Sequence, residues 1–417
     1  MASNNSEEQP QQQHNDQQQQ QQQQEQEQRV EEEAKMNSSG AEMLSPSVSL
    51  QPAAETNALC VPPRLLLGPG PSNYSAAVSS ALSQPAVGYL DPYLIHAMKD
   101  IQLLLQYCFQ TANEVTLAIS GTGSAAMEAA LANIIEKGDR VLVLISGYFG
   151  LRLAEMARRY GADVCCSEIP WGEVFSLQQI ELLLQQHKPS LVCIVMAETS
   201  TGALQPLEGL GCLCRKYEAL LLVDAVTGLA TSPLFVDAWM IDVCYSCSQK
   251  GLSCCPGVSP LTVGPRAIEK IRSRKTPVSN WYLDLSLLMK YWSGDKRCYH
   301  HTPPISLLFA LREALRALAK EGLENVWRRH KETADFFAAQ LQQRGIQLHV
   351  QREEYRSPAL TTVSVPKGVS AASVAAALLQ EGVEIGLGIG QLEGILAEGP
   401  GGEAFEPCLD SIYLYLF

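Results

Sequence analysis

Between residues 64 and 304, short apolar runs alternate with helix-like segments. This alternation constrains the fold more than any other feature of the chain. The runs at 115–119, 140–145, 190–196, 219–223, 241–245 and 260–263 have strand length and β-branched content. Between them lie helix-like segments such as 124–136, 151–160, 175–187 and 207–217. A strand–helix alternation needs crossover connections, which build a mostly parallel sheet covered on both faces. After residue 304 the texture changes. A long helical stretch (305–344) is followed by strand-like Leu360–Val365, helix-like 370–381 and Val383-Glu384-Ile385. The expected class is therefore α/β, with a mostly parallel-sheet large domain over 64–304 and a smaller α+β C-terminal domain over 305–390. No internal repeat is visible.

The flanks read differently. Residues 1–35 are Gln-rich and hold eight acids against two bases, −6 of the chain's net −13. So little apolar content cannot offset chain entropy, so this stretch is expected to be disordered. Residues 36–63 read as a linker. The charge on the rest is ordinary and offers no basic stripe for nucleic acid. No apolar run reaches membrane-span length, so neither nucleic acid nor membrane is an expected partner. Thirteen cysteines, most within apolar runs, read as buried thiols in a reducing compartment. Cys244-x-x-Cys247, with Cys254-Cys255 nearby, lacks the second spaced pair of a zinc site. It reads as small residues packed round a buried turn, and no metal is expected.

The polar segments after the runs carry the chemistry. Glu114–Ser120 leads into Gly121-Thr122-Gly123-Ser124 and an Ala-rich helix. Glycines let backbone N–H groups approach an anion, and a helix N-terminus adds positive partial charge. The spacing Gly121-x-Gly123-x-x-Ala126 also fits a dinucleotide fingerprint, but the next strand ends without the acid that would hold a ribose. A tight strand-to-helix turn is the third reading. Ser146-Gly147-Tyr148-Phe149-Gly150 offers aromatics that could cover a flat ring, or Phe149 could simply be core. In Glu198-Thr199-Ser200-Thr201-Gly202, Thr199 could bond a phenolic oxygen or cap a polar turn. Asp224 ends a very apolar strand, where a carboxylate needs a partner: a cationic ring nitrogen, or the backbone of a turn. Lys250, in Tyr245-Ser246-Cys247-Ser248-Gln249-Lys250-Gly251, sits among small residues. A lone lysine is usually a solvated surface charge, yet such surroundings allow a buried or partly buried amine. An acid and a lysine at neighbouring strand ends are what an aldehyde cofactor with a ring nitrogen needs.

In this order the motifs resemble the class V branch of fold-type I pyridoxal-phosphate enzymes, nearest to its serine–pyruvate/alanine–glyoxylate aminotransferase group. Leu66-Leu67-Gly68-Pro69-Gly70-Pro71-Ser72-Asn73 is similar to the opening motif of that family, and Tyr299-His300-His301-Thr302 to its dimer-crossing segment. The resemblance spans roughly 64–388. It implies that pyridoxal 5'-phosphate forms an imine with Lys250, the residue that later moves the proton. It also implies that Asp224 pairs the ring nitrogen, Phe149 stacks on the ring and Thr199 bonds the ring hydroxyl. Thr122, Gly123, Ser124 and Gln249 would bind the phosphate, with Tyr299 and Thr302 supplied by the partner of a homodimer. The implied reaction moves an amino group from alanine or serine to glyoxylate or pyruvate. By resemblance the compartment is the peroxisome, although the terminal tripeptide of some relatives is missing. Mitochondrion and cytosol are the alternatives.

The pattern breaks near the end. The family binds the substrate carboxylate with a late arginine, yet the last arginine here is Arg356. Residues 391–417 carry five acids and no base, and resemble a replaced, divergent C-terminus on a truncated small domain. The expectation is cofactor binding with poor turnover. Competing readings are a kynurenine-pathway transaminase, a desulfurase, for which no suitable loop cysteine is found, and a non-catalytic dimerisation partner.

Overall fold

The structure, a computed structural model, describes residues 24–32, 58–292, 297–366 and 368–389, and the backbone of 411–415. The chain divides into two units, Met1–Pro62 and Pro63–Phe417. In the first, residues 24–32 form a helix (α1) with every residue exposed. This departs from the disorder expected over 1–35. Glu, Gln and Arg have good helix propensity, so this stretch adopts a helix while burying nothing. The rest of 1–35 lies outside the described residues.

The second unit is built on a seven-stranded sheet. In chain order its strands are β2 (Val115–Ser120), β3 (Arg140–Ile145), β4 (Asp163–Glu168), β5 (Leu191–Val195), β8 (Leu220–Asp224), β9 (Val243–Tyr245) and β10 (Val258–Val263). Their spatial order is β2-β10-β9-β8-β5-β3-β4. All neighbours are parallel except β10, which is antiparallel to both β2 and β9. The fold is thus the expected mostly parallel α/β architecture. β4 escaped the apolar-run reading because it is an edge strand, Asp163-Val164-Cys165-Cys166-Ser167-Glu168, with no fully buried residue. Central strands such as β5 and β8 are buried at every position, so they appear as continuous apolar runs.

Helices α2 (Ala76–Leu82), α3 (Pro92–Phe109), α4 (Gly123–Ile134), α5 (Tyr148–Arg159), α6 (Leu177–His187), α7 (Leu210–Lys216), α8 (Pro265–Arg272) and α9 (Leu285–Trp292) accompany the sheet. Local chemistry sets their ends. Asp91 caps α3 ahead of Pro92, and Ser176 with Gln179 forms a reciprocal capping box on α6. The long helical stretch after 304 is two helices, α10 (Ile305–Glu321) and α11 (Leu323–Gln343), broken at Gly322, whose φ is +87°.

The domain boundary at 304/305 shifts. Leu308, Leu311 and Leu315 of α10 and Val326 of α11 belong to the main core with the sheet. A second, smaller core gathers Ala338, Leu341, Leu348, Val363, Ala371 and Ile385, with Leu67 packed against it. Apolar periodicity identified these helices, but not which core their apolar faces meet. The smaller core is layered by α12 (Ala371–Gln380) and a sheet of β11 (Leu360–Ser364), β13 (Gly386–Leu387) and β14 (Ser411–Tyr415). β14 is the middle strand and comes from the divergent 391–417 segment, antiparallel to both neighbours. At the opposite end of the chain, β1 (Leu65–Leu66) pairs with β12 (Val383–Glu384). A short β6 (Ala197–Glu198) and β7 (Ala203–Leu204) hairpin follows β5.

Candidate active site at the carboxyl edge of the sheet

β2, β3, β5, β8 and β9 run in one direction, so Ser120, which ends β2, and Ser146, Met196, Ala225 and Ser246, which follow the other strand ends, lie along one edge. Open α/β sheets bind ligands at this edge. Each polar motif of the sequence begins there.

Asp224 is the last residue of β8 and is 2% exposed. Its register partner on β9 is Tyr245, whose hydroxyl donates to Asp224 Oδ2 at 2.7 Å. The Val226 N–H donates to Oδ1 at 2.8 Å. Burial pushes the Asp224 carboxyl above the usual range, while these two donors and the charges of Lys250 and Arg152 pull it back down.

Lys250 is 7% exposed. Its Nζ donates to the Pro69 carbonyl at 2.5 Å and to Thr199 Oγ1 at 3.3 Å. Burial lowers its pKa to about 8, against opposing effects of Cys247, Asp224 and Glu198. That raises the neutral fraction well above an ordinary lysine's, as a nucleophilic amine requires. Thr199 also shares a 2.6 Å hydrogen bond with Thr227 Oγ1. The turn carrying Lys250 is braced by Ser72, whose N–H donates to the Gln249 carbonyl at 2.9 Å.

Gly123 opens α4 beside this turn. A Cβ there would stand 3.2 Å from Cys247 Cβ. The preceding Thr122 makes no side-chain capping bond, so the first N–H groups of α4 lack the usual capping oxygen and suit an anion. Gln249 holds a buried Oε1 that has no hydrogen-bond partner. Half a turn of that amide would present two N–H donors to an anion instead.

Phe149 lies on the first turn of α5, where Gly147 is the N-cap. The buried Glu198 carboxylate accepts N–H bonds from Phe149 and Gly150 at 3.3 and 3.4 Å, and the Ser200 hydroxyl at 2.6 Å. Burial raises the Glu198 pKa, and the bonds from Ser200 and Phe149 offset part of that rise. Helix α5, and with it Phe149, is thus fixed from below by an acid on β6.

Asp224, Thr199, Phe149 and Gly123 therefore come from separate turns along one edge, with Gln249 and Lys250 together on a fifth. Ser124 joins them through Arg152, whose Nη1 donates to Ser124 Oγ at 3.3 Å. Thr122 is exposed at the mouth of the loop. Tyr299 and Thr302 are different. Tyr299 is 58% exposed with its ring against Tyr89 at 4.8 Å, and Thr302 is exposed. Between them, His300 and His301 meet Nδ1 to Nδ1 at 2.8 Å, and His301 Nε2 reaches Ser120 Oγ at 2.6 Å. The segment is thereby tied to the residue preceding the phosphate-cup loop. Residues 390–410, part of the arginine-free stretch after Arg356, lie outside the described residues.

Sequence reasoning gave no role to Tyr245, Thr227 or Arg152. Tyr245 ends an apolar run and looks like core. Its link to Asp224 depends on strand register. Arg152 reads as one of several basic residues on an amphipathic helix.

The residues fit pyridoxal phosphate. Both hydrogen-bond donors to Asp224 are neutral, so a protonated ring nitrogen would add the charge partner a buried carboxylate lacks. The uncapped start of α4 and the orphaned Gln249 amide suit the phosphate, and Lys250 suits the aldehyde.

Comparison with known proteins points the same way. The family model for aminotransferase class-V matches residues 72–391. The mouse (Mus musculus) alanine–glyoxylate aminotransferase is 43% identical over 345 residues, 82% of this chain and 83% of its own length. The (S)-ureidoglycine–glyoxylate transaminase of Bacillus subtilis is 37% identical over 355 residues, 81% of this chain and 85% of its own. The crystal structure of an alanine–glyoxylate aminotransferase from Nostoc sp. superposes with a TM-score of 0.82 at 51% identity, covering 87% of this chain and 92% of that one. Order of motifs, sheet topology and these matches converge: the chain belongs to the class-V aminotransferases, a pyridoxal-phosphate family.

Proposed function

We propose that this protein moves the amino group of a small amino acid, alanine or serine, to a small 2-oxo acid, glyoxylate or pyruvate. The observation that carries the reading is the Lys250 amine, buried with a lowered pKa and bonded to Thr199, within the field of Asp224. The names of the mouse and Nostoc relatives support the substrates.

When bound, pyridoxal phosphate supplies an aldehyde and a ring that takes up the electron density released at the substrate Cα. The chain's residues do the rest. Asp224, whose ionised form Tyr245 and the Val226 N–H favour against burial, would pair with a protonated ring nitrogen. Lys250, whose buried amine has a lowered pKa, would hold the aldehyde and, once released, would carry the proton between the substrate Cα and the aldehyde carbon. Thr199 would hydrogen-bond the ring hydroxyl and Phe149 would cover the ring face, while Thr122, Gly123, Ser124 and Gln249 would hold the phosphate.

We further propose a homodimer. Exposed aromatics form two groups of ring contacts that meet at the consecutive residues Tyr299 and His300. Tyr89 meets Tyr299, while Trp281 (60% exposed) stacks on His300 at 4.4 Å beside Tyr282. Tyr282 reaches back to the Ser120 carbonyl at 3.4 Å, so the second group borders the site. An exposed aromatic surface of this kind suits a self-complementary interface, across which Tyr299 and Thr302 would reach the partner's phosphate.

The test is production of pyruvate and glycine from alanine and glyoxylate by purified protein with pyridoxal phosphate, alongside light scattering for the dimer. Pyruvate formation no faster than that of Lys250→Ala would refute the enzymatic reading.

A further inference from the structure

Arg152 meets the candidate cofactor residues from the α5 side. Its guanidinium carbon lies 4.8 Å from the centroid of the Phe149 ring and 5.2 Å from that of Tyr148. Those two rings are edge-to-face at 5.7 Å, so the cation is held by an aromatic corner. One N–H of the same guanidinium donates to Ser124 Oγ at 3.3 Å, on the first turn of α4. A single side chain thus joins the start of α5, which carries the ring-covering Phe149, to the start of α4, which forms the phosphate cup.

The bond has a direction with consequences. A hydroxyl that accepts an N–H bond keeps its own proton free to donate, and donates it better for being polarised. Ser124 is thereby set as a donor toward an anion at the α4 N-terminus. On the other side, a guanidinium against the Phe149 ring restricts that ring's rotation. Phenylalanine has no polar edge to fix it otherwise. The positive charge also helps hold the buried Asp224 carboxyl down.

We propose that Arg152 is a positioning residue of the cofactor site, fixing the Phe149 ring and the Ser124 hydroxyl together where the cofactor ring and phosphate require them. The proposal rests on the pyridoxal-phosphate reading above. It predicts that Phe149 and Ser124 are energetically coupled through Arg152 and not independent.

The experiment is cofactor binding to cofactor-stripped protein, followed by the visible absorbance band and by tryptophan quenching, with no turnover involved. Arg152→Met is expected to weaken pyridoxal phosphate binding about tenfold, with Arg152→Lys in between, because lysine keeps the charge but loses the planar fork. In a Phe149→Leu/Ser124→Ala background, Arg152→Met should change binding well under tenfold, since only its charge near Asp224 remains to be lost. Melting of each stripped variant separates this from misfolding. Wild-type affinity in Arg152→Met, or an undiminished tenfold loss in the doubly substituted background, would overturn the proposal while leaving the cofactor reading intact. Absence of any cofactor band in wild type would overturn both.

Discussion

Tyr245 and Asp224 face each other as register partners on β9 and β8, and the tyrosine hydroxyl donates to the buried carboxylate at 2.7 Å. Burial raises the Tyr245 phenol well above its ordinary value, and the Asp224 charge raises it further, so the phenol stays a donor at every working pH. The carboxylate proposed to pair with the ring nitrogen is therefore itself held by a neighbouring strand.

Tyr245→Phe keeps the packing and deletes that donor. A hydrogen bond to a charged group contributes about 1.5–3 kcal/mol, so kcat/KM for alanine should fall by roughly 10- to 100-fold. Steady-state kinetics with cofactor saturating will measure it. An unchanged kcat/KM would mean that Asp224 needs no such support.

Lys250 is protonated more readily in the unfolded chain than in the folded one, because its pKa is about 8 rather than the ordinary 10.5. Between those values the unfolded state binds more protons, so stability should rise with pH from about 8 to 10.5. Below pH 8 the folded state carries the full cost of the buried charge. Cofactor-free Lys250→Met should accordingly be more stable than wild type at pH 7, and the gap should close by pH 10.5. Thermal melts of stripped protein across that range check the sign.

His301 shows the same logic on the acid side. Burial first, then His300, lowers its pKa to about 4 from the ordinary 6.5. Within that window the unfolded chain binds the extra proton, so this residue makes stability fall as pH drops from 6.5 to 4. His301→Gln should flatten that limb of the stability profile, measured by urea unfolding at several pH values. It should also loosen the 299–302 segment from Ser120.

Gly147 stands where no side chain fits. A Cβ there would lie 2.3 Å from Glu198 Cγ and 2.5 Å from Ser200 Oγ. Its φ of 171° is ordinary, so the requirement is space alone. Gly147→Ala should cost about 1–3 kcal/mol of stability and shift Phe149, weakening cofactor binding. Calorimetry and cofactor titration would both register it.

The last arginine of the sequence is Arg356. Without a late guanidinium fork for the substrate carboxylate, KM for alanine should lie at least tenfold above that of the mouse or Nostoc relatives assayed in parallel, while pyridoxal phosphate binding stays comparable. A KM equal to theirs would show that another group holds the carboxylate.

Much of this protein was legible in its sequence because the cues are local. The buried strands β5 and β8 announce themselves as unbroken apolar runs. Gly121-Thr122-Gly123-Ser124, Asp224 and Lys250 sit where apolar runs end, and run ends are visible without a fold. Cues that depend on partners were not legible. The edge strand β4 lacks an apolar signature. Helix α10 has a clear apolar stripe, but only packing assigns that stripe to the main core. Register decides that Tyr245 serves Asp224, and the side-by-side placement of α4 and α5 decides that Arg152 reaches both Phe149 and Ser124. Alternation and motif order by themselves determined the class, the family resemblance and the lysine–aspartate pair, since each is written in consecutive residues. The tertiary structure alone decided what charges, braces and positions that pair, because those contacts join residues up to 181 positions apart, as between Pro69 and Lys250.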